Sequence, residues 1–213
     1  MEKQMMTLEQ FRDAAGISQP MAERWHEPFT KAFEQYFVYS PLVMAHVIAQ
    51  IGHESGGFAR LEENLNYRSA DRLITVFGSS NGLDRHKAYL LACNPIKIGN
   101  YVYGGEWGRR NLGNTQPNDG YFFRGGGLIQ LTGRANYTKA SEALGIDITR
   151  LPDLVRKDEG IAAQAAMWWL WSNGLLKYFE ADDVRGATRR INGGLNGISD
   201  RINRLERAKR VLL

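Results

Sequence analysis

Apolar residues recur at steps of three and four along residues 40–54, the spacing of one face of an α-helix. Ser40 is a suitable N-cap and Pro41 fits the first helical turn. Because Gly52 is a poor helix residue, the helix is expected to weaken there and to present Glu54 at its C-terminal end. The apolar positions of this face are Val43, Met44, Val47, Ile48 and Ile51.

Three further segments have helical spacing and are predicted to build the core. Met21–Phe37 places an aromatic residue at every fourth position, Glu159–Trp171 is apolar nearly all round, and Ser199–Leu212 is amphipathic with a basic outer face. The aromatic positions are Trp25, Phe29, Phe33 and Phe37. Shorter helices are predicted over residues 69–77, 84–91, 136–144 and 182–191.

The segment Cys93–Gly127 is rich in glycine and tyrosine and has little apolar periodicity, which predicts loops. An alternation typical of a strand is present only around Tyr121–Gln130. The class is therefore mainly α. We expect one domain over residues 1–213, with no separate binding module and with residues 66–120 as a candidate smaller lobe or insertion. Residues 1–6 are uninformative.

Composition narrows the function classes only slightly. Cys93 is the single cysteine, which excludes an internal disulfide and a multi-cysteine metal site, and the four histidines are scattered. The formal net charge of +4 suits an anionic partner such as a wall polymer, a nucleic acid or a membrane surface. No apolar run is long enough to span a membrane, and Met1–Met6 has no apolar signal core, so we expect no signal peptide.

Two acids stand in different surroundings, as glycosidic hydrolysis requires. Glu54 follows an apolar helix, whose carbonyl end and partial burial favour a protonated side chain. Glu63 lies beyond the flexible pair Gly56-Gly57. A glutamate after a helix is more often solvated or salt-bridged than catalytic, and adjacent acids in a loop, such as Glu62 and Glu63, are usually surface charge.

The run Arg124–Gly127 is too rich in glycine to be core, and an ordered segment follows it at once. If that segment is extended, Gln130 and Thr132 point the same way and offer an amide and a hydroxyl to sugars or to a water molecule. A phosphate-binding loop is the weaker alternative, because no Gly-Lys-Ser/Thr follows the glycines.

Several motifs occur in an order that resembles glycoside hydrolase family 19, which contains chitinases and bacteriophage endolysins. They span the chain from about residue 7 to its end and comprise residues 53–58, 63–67, 124–133, 136–137 and 191–194. The sequence of residues 128–137 is similar to that of the compact phage endolysins. This resemblance implies a lysozyme-like, two-lobed helical fold with a loop-rich cleft.

The resemblance also implies the roles of individual residues. Glu54 would be the general acid, Glu63 the general base of an inverting mechanism, and Thr132 would hold the attacking water. Arg201 would orient Glu63 or the sugar. Residues assigned to substrate binding are His53, Tyr67, Gln130, Asn136, Asn192 and Arg201. No cofactor and no metal are implied.

This chain departs from the family pattern at two places. Gly126 stands where members commonly carry an arginine, for which Arg124 is a candidate substitute. Arg110 and Asn111 are in the reverse of the usual order. Neither departure changes Glu54 or the other acid.

Three functions remain open. The first is a phage endolysin that cleaves β-1,4 bonds of peptidoglycan glycan strands as a muramidase or glucosaminidase. It would be a monomer that binds no nucleic acid and does not insert stably into a membrane. It would accumulate in the host cytoplasm and act in the periplasm. The second is a chitinase, and the third is a catalytically silent wall-binding module. The basic C-terminal helix is interpreted as a packed helix in preference to a membrane-disrupting peptide.

Overall fold

The computed structural model describes residues 5–213, apart from the side chains of residues 79–81. Fourteen helices lie in this part of the chain, which confirms the mainly helical class. In chain order they are α1 (Leu8–Ala15), α2 (Gln19–Gln35), α3 (Pro41–Glu54), α4 (Ala70–Asn81), α5 (Arg85–Leu91), α6 (Pro95–Val102), α7 (Gly105–Leu112), α8 (Asp119–Phe122), α9 (Arg134–Leu144), α10 (Leu154–Lys157), α11 (Glu159–Ser172), α12 (Leu176–Glu180), α13 (Val184–Asn192) and α14 (Ile198–Leu212).

The helices fall into two compact units. Unit 1 comprises the chain up to Leu61, Gly127–Gln130 and Asp153–Leu213, and unit 2 comprises Glu62–Gly126 and Leu131–Pro152. The single-domain assignment and the candidate lobe at residues 66–120 stay predictions. No helix in the described residues is both long enough and apolar enough to cross a membrane.

Unit 1 is built around α3, which packs against α14, α12 and α1, while α2 packs against α11. The predicted apolar face of α3 is buried, and the hydroxyl of Ser40 accepts a hydrogen bond from the amide of Val43 as an N-cap. An aromatic cluster fills the space beside it, with T-shaped contacts at ring separations of 5.5–5.7 Å. These contacts join Phe11, Phe29 and Phe58.

The stripe of aromatic residues in the second helix was only partly predicted. Trp25, Phe29 and Phe33 are buried, but the helix ends at Gln35 and Phe37 is 78% exposed. Phe37 has a φ of 55°, so the chain leaves the helical path there and turns the ring outward.

Unit 2 has its own small core, formed by Leu65, Leu73, Leu83, Ala88, Ile98 and Val102. Ser69 and Asp84 cap α4 and α5. α6 and α8 approach so closely that a Cβ on Gly120 would lie 2.4 Å from the carbonyl oxygen of Gly99. Only glycine fits at this crossing.

Two predictions about residues 93–130 are wrong. Three short helices, α6, α7 and α8, occupy the segment Cys93–Gly127 that was predicted to be loops, because asparagine, glycine and proline residues cap short turns that are too brief to show periodicity. No strand forms at Tyr121–Gln130. Among the described residues, pairing is limited to isolated antiparallel bridges of Gly126 with Glu62 and Leu131.

Candidate active site

Glu54 is the last residue of α3, as predicted, and the chain reverses direction directly after it. Gly56, Gly57 and Phe58 have φ values of 61°, 79° and 66°. The Ser55 hydroxyl accepts the amide of Phe58 at 2.8 Å, and the buried ring of Phe58 anchors the turn in the core. The two glycines permit this turn because left-handed backbone is costly for other residues.

A buried arginine holds the carboxyl group of Glu54. Arg201, in the first turn of α14, is 1% exposed. Its Nη2 donates to Oε1 of Glu54 and its Nη1 donates to Oε1 of Gln50, which lies one turn earlier on α3. The sequence interpretation had Arg201 orient Glu63 or the sugar. The structure corrects this: the guanidinium is buried and orients Glu54. Its positive charge opposes the effects of the helix end and of burial, on which the predicted protonation of Glu54 rests.

His53 precedes the candidate acid and is held by a second residue of α14. Its Nδ1 lies 2.7 Å from Oδ2 of Asp200, which also accepts Nε of Arg204 at 2.7 Å. The backbone at Gly197 lies against the opposite edge of the ring, since a Cβ there would be 2.3 Å from Nε2 of His53. The imidazole is therefore fixed in orientation, and its side chain is 26% exposed.

The loop beside this histidine contains Asn192, the last residue of α13. The amide of Asn192 donates to the carbonyl of Asn196 at 3.1 Å and accepts the amide of Gly194 at 3.0 Å. Asn192 is exposed and shapes the loop that covers His53. Its predicted contact with sugar stays a prediction.

Glu63 belongs to unit 2 and is held by a tyrosine and the glycine-rich run. Its Oε1 accepts the hydroxyl of Tyr103 at 2.5 Å, and its Oε2 accepts the amide of Gly125 at 3.1 Å. The amide of Glu63 in turn donates to the carbonyl of Gly125 at 2.9 Å. Burial, together with the charge of Glu63 and the hydrogen bond to it, raises the pKa of Tyr103, so the tyrosine is a firm donor.

Glu62 is exposed and forms an ion pair with the buried Arg124. Its Oε1 accepts Nε of Arg124 at 2.9 Å and Nη2 at 2.5 Å, and the guanidinium also donates to the carbonyl of Tyr121 at 2.9 Å. Arg124 is 8% exposed and stacks 4.1 Å from the ring of Tyr121. Arg124 therefore organises the loop through Glu62.

The structure also corrects the expected arrangement of Gln130 and Thr132. Gln130 has a φ of 53° and lies in a turn of unit 1, where its Nε2 donates to the carbonyl of Gly127 at 3.0 Å. The segment is not extended, so the alternation that would point both side chains the same way does not exist. Thr132 is half-buried in unit 2, and its carbonyl accepts Nδ2 of Asn136 at 2.8 Å.

Each compact unit thus carries part of the predicted site. Tyr67 is half-buried beside Phe77, with ring centroids 5.3 Å apart. Burial and the charge of Glu63 raise the pKa of Tyr67, while Arg72 lowers it.

Unit 1 brings together His53, Glu54 and Arg201 and also carries Gln130 and Asn192. Unit 2 carries Glu63, Tyr67, Thr132 and Asn136.

Comparison with known proteins identifies the family. Over 181 residues the chain is 34% identical to a glycosyl hydrolase family 19 domain-containing protein of Haemophilus influenzae, with 83% of each chain covered. Residues 103–184 match the family model described as chitinase class I. The chain belongs to glycoside hydrolase family 19. It is therefore a glycoside hydrolase, as the order of its motifs predicts.

More distant family 19 relatives are named chitinases. An endochitinase of Arabidopsis thaliana is 28% identical over 172 residues, which are 79% of this chain and 47% of the plant protein. The chain thus spans about half the length of that relative.

Solved structures agree on the fold. A bacterial family 19 chitinase has a TM-score of 0.61 at 21% identity and covers 97% of this chain and 94% of its own. Chitinase C of Streptomyces griseus has a TM-score of 0.62 at 21% identity, over 97% of this chain and 76% of its own. At such identities the likeness concerns the fold, and it confirms the lysozyme-like helical class.

Three residues that contact the predicted site of this family 19 enzyme were missed. Gln50 carried a usable signal, because it is the polar residue four positions before Glu54 on an apolar helix and so shares its face. Tyr103 and Asp200 carried none, since they meet their partners across 40 and 147 residues of sequence. In the described part of the chain, no cluster of three or more His, Cys, Asp or Glu side chains is arranged to hold a metal ion.

Proposed function

We propose that this family 19 enzyme hydrolyses β-1,4 glycosidic bonds of bacterial peptidoglycan by an inverting general acid/base mechanism. Glu54 protonates the leaving oxygen, and Glu63 activates a water molecule that Thr132 helps to position. An inverting mechanism requires the two carboxyl groups to lie roughly 6.5–9.5 Å apart when substrate is bound. No cofactor is needed for this chemistry.

The observation that carries the proposal is that the two carboxyl groups are held by different partners. Glu54 has a buried arginine on one oxygen and stands at the C-terminal end of a helix. Glu63 accepts a hydroxyl and a backbone amide, both neutral donors. Two acids in unlike surroundings are what an acid and a base with separate roles require. His53, Tyr67, Gln130, Asn136 and Asn192 are proposed to contact the sugars.

The biological role is proposed to be lysis of a bacterial host by a phage. In this role the enzyme would collect in the host cytoplasm and reach the wall in the periplasm, acting as a monomer. The net charge of +4 supports an anionic wall polymer over an uncharged one.

Chitin is the second candidate substrate, and it is favoured by the names of the relatives. The plant relative is called an endochitinase and the solved neighbours are called chitinases. Chitin has the same β-1,4 linkage, so the same two acids would serve. The two substrates differ in their charge and in the identity of the released reducing end.

The experiment that tests the proposal is mass spectrometry of fragments released from purified sacculi, with a chitin oligomer digested in parallel. Release of muropeptides supports the proposal, and their reducing ends separate muramidase from glucosaminidase action. If only the chitin oligomer is cleaved, the substrate is chitin and the peptidoglycan proposal is wrong. NMR of the first product supports inversion if it shows the α-anomer.

Variants assign the two acids. Glu54→Gln and Glu63→Gln should each reduce the rate by roughly 10²–10⁴-fold, the usual contribution of one acid or base. Glu142→Gln is the matched control, because Glu142 is exposed on α9 of unit 2. Full activity in either site variant would contradict the assignment.

A further inference from the structure

Three adjacent depressions follow one stretch of the surface of unit 2, beginning at Glu63. Their volumes are about 410, 550 and 480 Å³, and all three share Asn64 and Asn66 in their walls. The first includes Glu63, the second includes Arg68, and the third includes Arg68 and Arg72. We call this surface the Asn–Arg groove and define it by Asn64, Asn66, Arg68 and Arg72.

The backbone of this stretch presents alternate side chains to solvent. Leu65 is buried in the core of unit 2 and Tyr67 is half-buried, while residues 64, 66 and 68 are exposed. The amide of Cys93 donates to the carbonyl of Tyr67 at 2.8 Å and so ties the stretch to α6 and its neighbours. The side chain of Asn64 accepts the amide of Asn66 at 2.9 Å, which fixes the turn between them. The groove is therefore an ordered surface.

The groove carries two positive charges, on Arg68 and Arg72. Neither Arg68 nor Arg72 forms a salt bridge with any residue that the structure describes, and both are exposed. Two of the acids nearby are already paired with other arginines, while Glu63 at the start of the groove has neutral donors as its partners. Glu62 pairs with Arg124, and Asp71 pairs with Arg85 at 2.6 Å.

The two kinds of side chain suit two parts of a glycan. Asparagine amides donate and accept hydrogen bonds, as hydroxyl and acetamido groups of sugars do. Arginine presents a planar fork of donors that matches a carboxylate, in single or bidentate form. A neutral polysaccharide accepts hydrogen bonds from both kinds of side chain, whereas an anionic one also neutralises the two charges.

We propose that the Asn–Arg groove binds a glycan strand together with its attached peptide, with the asparagines contacting sugar and with Arg68 and Arg72 contacting a carboxylate of the peptide. This inference rests on the proposed function. Peptidoglycan carries carboxylates on its lactyl-linked peptides, whereas chitin is uncharged. The two arginines would therefore be the residues that make this enzyme prefer peptidoglycan over chitin.

The test compares substrates that differ in charge. Soluble glycan strands that retain their peptides, the same strands with their carboxylates converted to amides, and a chitin oligomer are cleaved by the wild type and by Arg68→Gln/Arg72→Gln. The control is Arg185→Gln/Arg189→Gln, which removes the same charge from exposed positions on α13 in unit 1. Melting temperatures are compared first to show that both variants are folded.

The expected result is a loss confined to the charged substrate. kcat/KM of the groove variant on the carboxylate strands should fall roughly tenfold, mainly through KM, because two exposed charge contacts are lost. Its kcat/KM on amidated strands and on chitin should match the wild type. Raising the salt concentration should lower kcat/KM on carboxylate strands more for the wild type than for the groove variant.

Other outcomes overturn the inference in distinguishable ways. An equal loss on all three substrates would mean that the arginines support the fold of the groove, and a loss no greater than that of the α13 control would mean that only bulk charge matters. In both cases the proposed function stands. If the wild type cleaves chitin but not carboxylate strands, the peptidoglycan proposal fails, and this inference fails with it.

Discussion

The contact between Glu54 and Arg201 should couple the stability of the fold to the candidate acid. The side chain of Arg201 is 2% exposed and that of Glu54 is 23% exposed. Removing one partner of a buried ion pair costs about 3–5 kcal/mol, because the remaining charge is left without compensation. Since water reaches Glu54, we expect the lower end of that range for Glu54→Ala, about 3 kcal/mol.

Glu54→Gln should cost less than Glu54→Ala, because glutamine retains an oxygen that can accept the bond from Arg201. The difference between a hydrogen bond to a charged group and one to a neutral group is about 1 kcal/mol. At the size of this protein, 1 kcal/mol corresponds to a change in melting temperature of about 2–4 °C. Glu54→Gln should therefore melt a few degrees below the wild type while remaining folded.

A double-mutant cycle measures the coupling between the two residues. The wild type, Glu54→Ala, Arg201→Met and the double variant are unfolded in urea and followed by tryptophan fluorescence. In the Arg201→Met background, Glu54→Ala should cost less than about 1 kcal/mol, because no buried guanidinium remains to be abandoned. The lost partner of Gln50 affects both Met proteins equally and cancels in the cycle.

The reasoning is refuted if Glu54→Ala destabilises both backgrounds equally. A coupling energy below about 0.5 kcal/mol is the range found for independent sites. The m-value must also stay constant across the four proteins, because a change in m would signal a different unfolded state.

Three further predictions concern single contacts. Tyr103→Phe removes the donor to Glu63. Because a hydrogen bond to a charged acceptor is worth about 1.5–3 kcal/mol, kcat should fall roughly 10- to 150-fold with little change in KM. Glu62→Gln should cost about 1 kcal/mol of stability, because Arg124 loses a charged acceptor, while the activity of the folded enzyme changes less than about twofold. Burial lowers the pKa of His46 below 6.5 despite the opposing effect of its bond to an aspartate, so the folded protein should lose stability as the pH falls below about 6.5. His46→Phe should flatten this dependence.

Each of these three predictions would be contradicted by a specific result. For Tyr103→Phe, a rise in KM at constant kcat would mean that the tyrosine hydroxyl contributes to substrate binding and not to the function of Glu63. If Glu62→Gln lost as much activity as Glu63→Gln, the assignment of Glu63 as the general base would be wrong. For His46, the direction of the pH dependence follows from the two states. The unfolded chain binds a proton on this histidine near pH 6.5, whereas the buried ring of the folded protein stays neutral to lower pH, so acid favours unfolding. An unchanged slope between pH 5 and 7 in the His46→Phe protein would remove the explanation.

The helices that the sequence predicted well are those whose information is local. Ser40 and Pro41 begin α3 and Gly145 ends α9 in a left-handed conformation, because caps and turns are decided by a few neighbouring residues. The apolar face of α3 was readable because burial selects side chains at helical spacing. Helices of four to eight residues between Cys93 and Gly127 were missed, because two turns are too short for a periodic pattern to stand out.

The candidate site divides in the same way. The sequence by itself determined that an apolar helix ends on Glu54 and that two glycines follow, since both facts are contiguous in the chain. Only the tertiary structure decided which charges face each acid. Arg201 reaches Glu54 across 147 residues, and Tyr103 reaches Glu63 across 40. Such contacts depend on how helices pack, and a linear pattern carries no record of a partner that becomes a neighbour only after the core has formed.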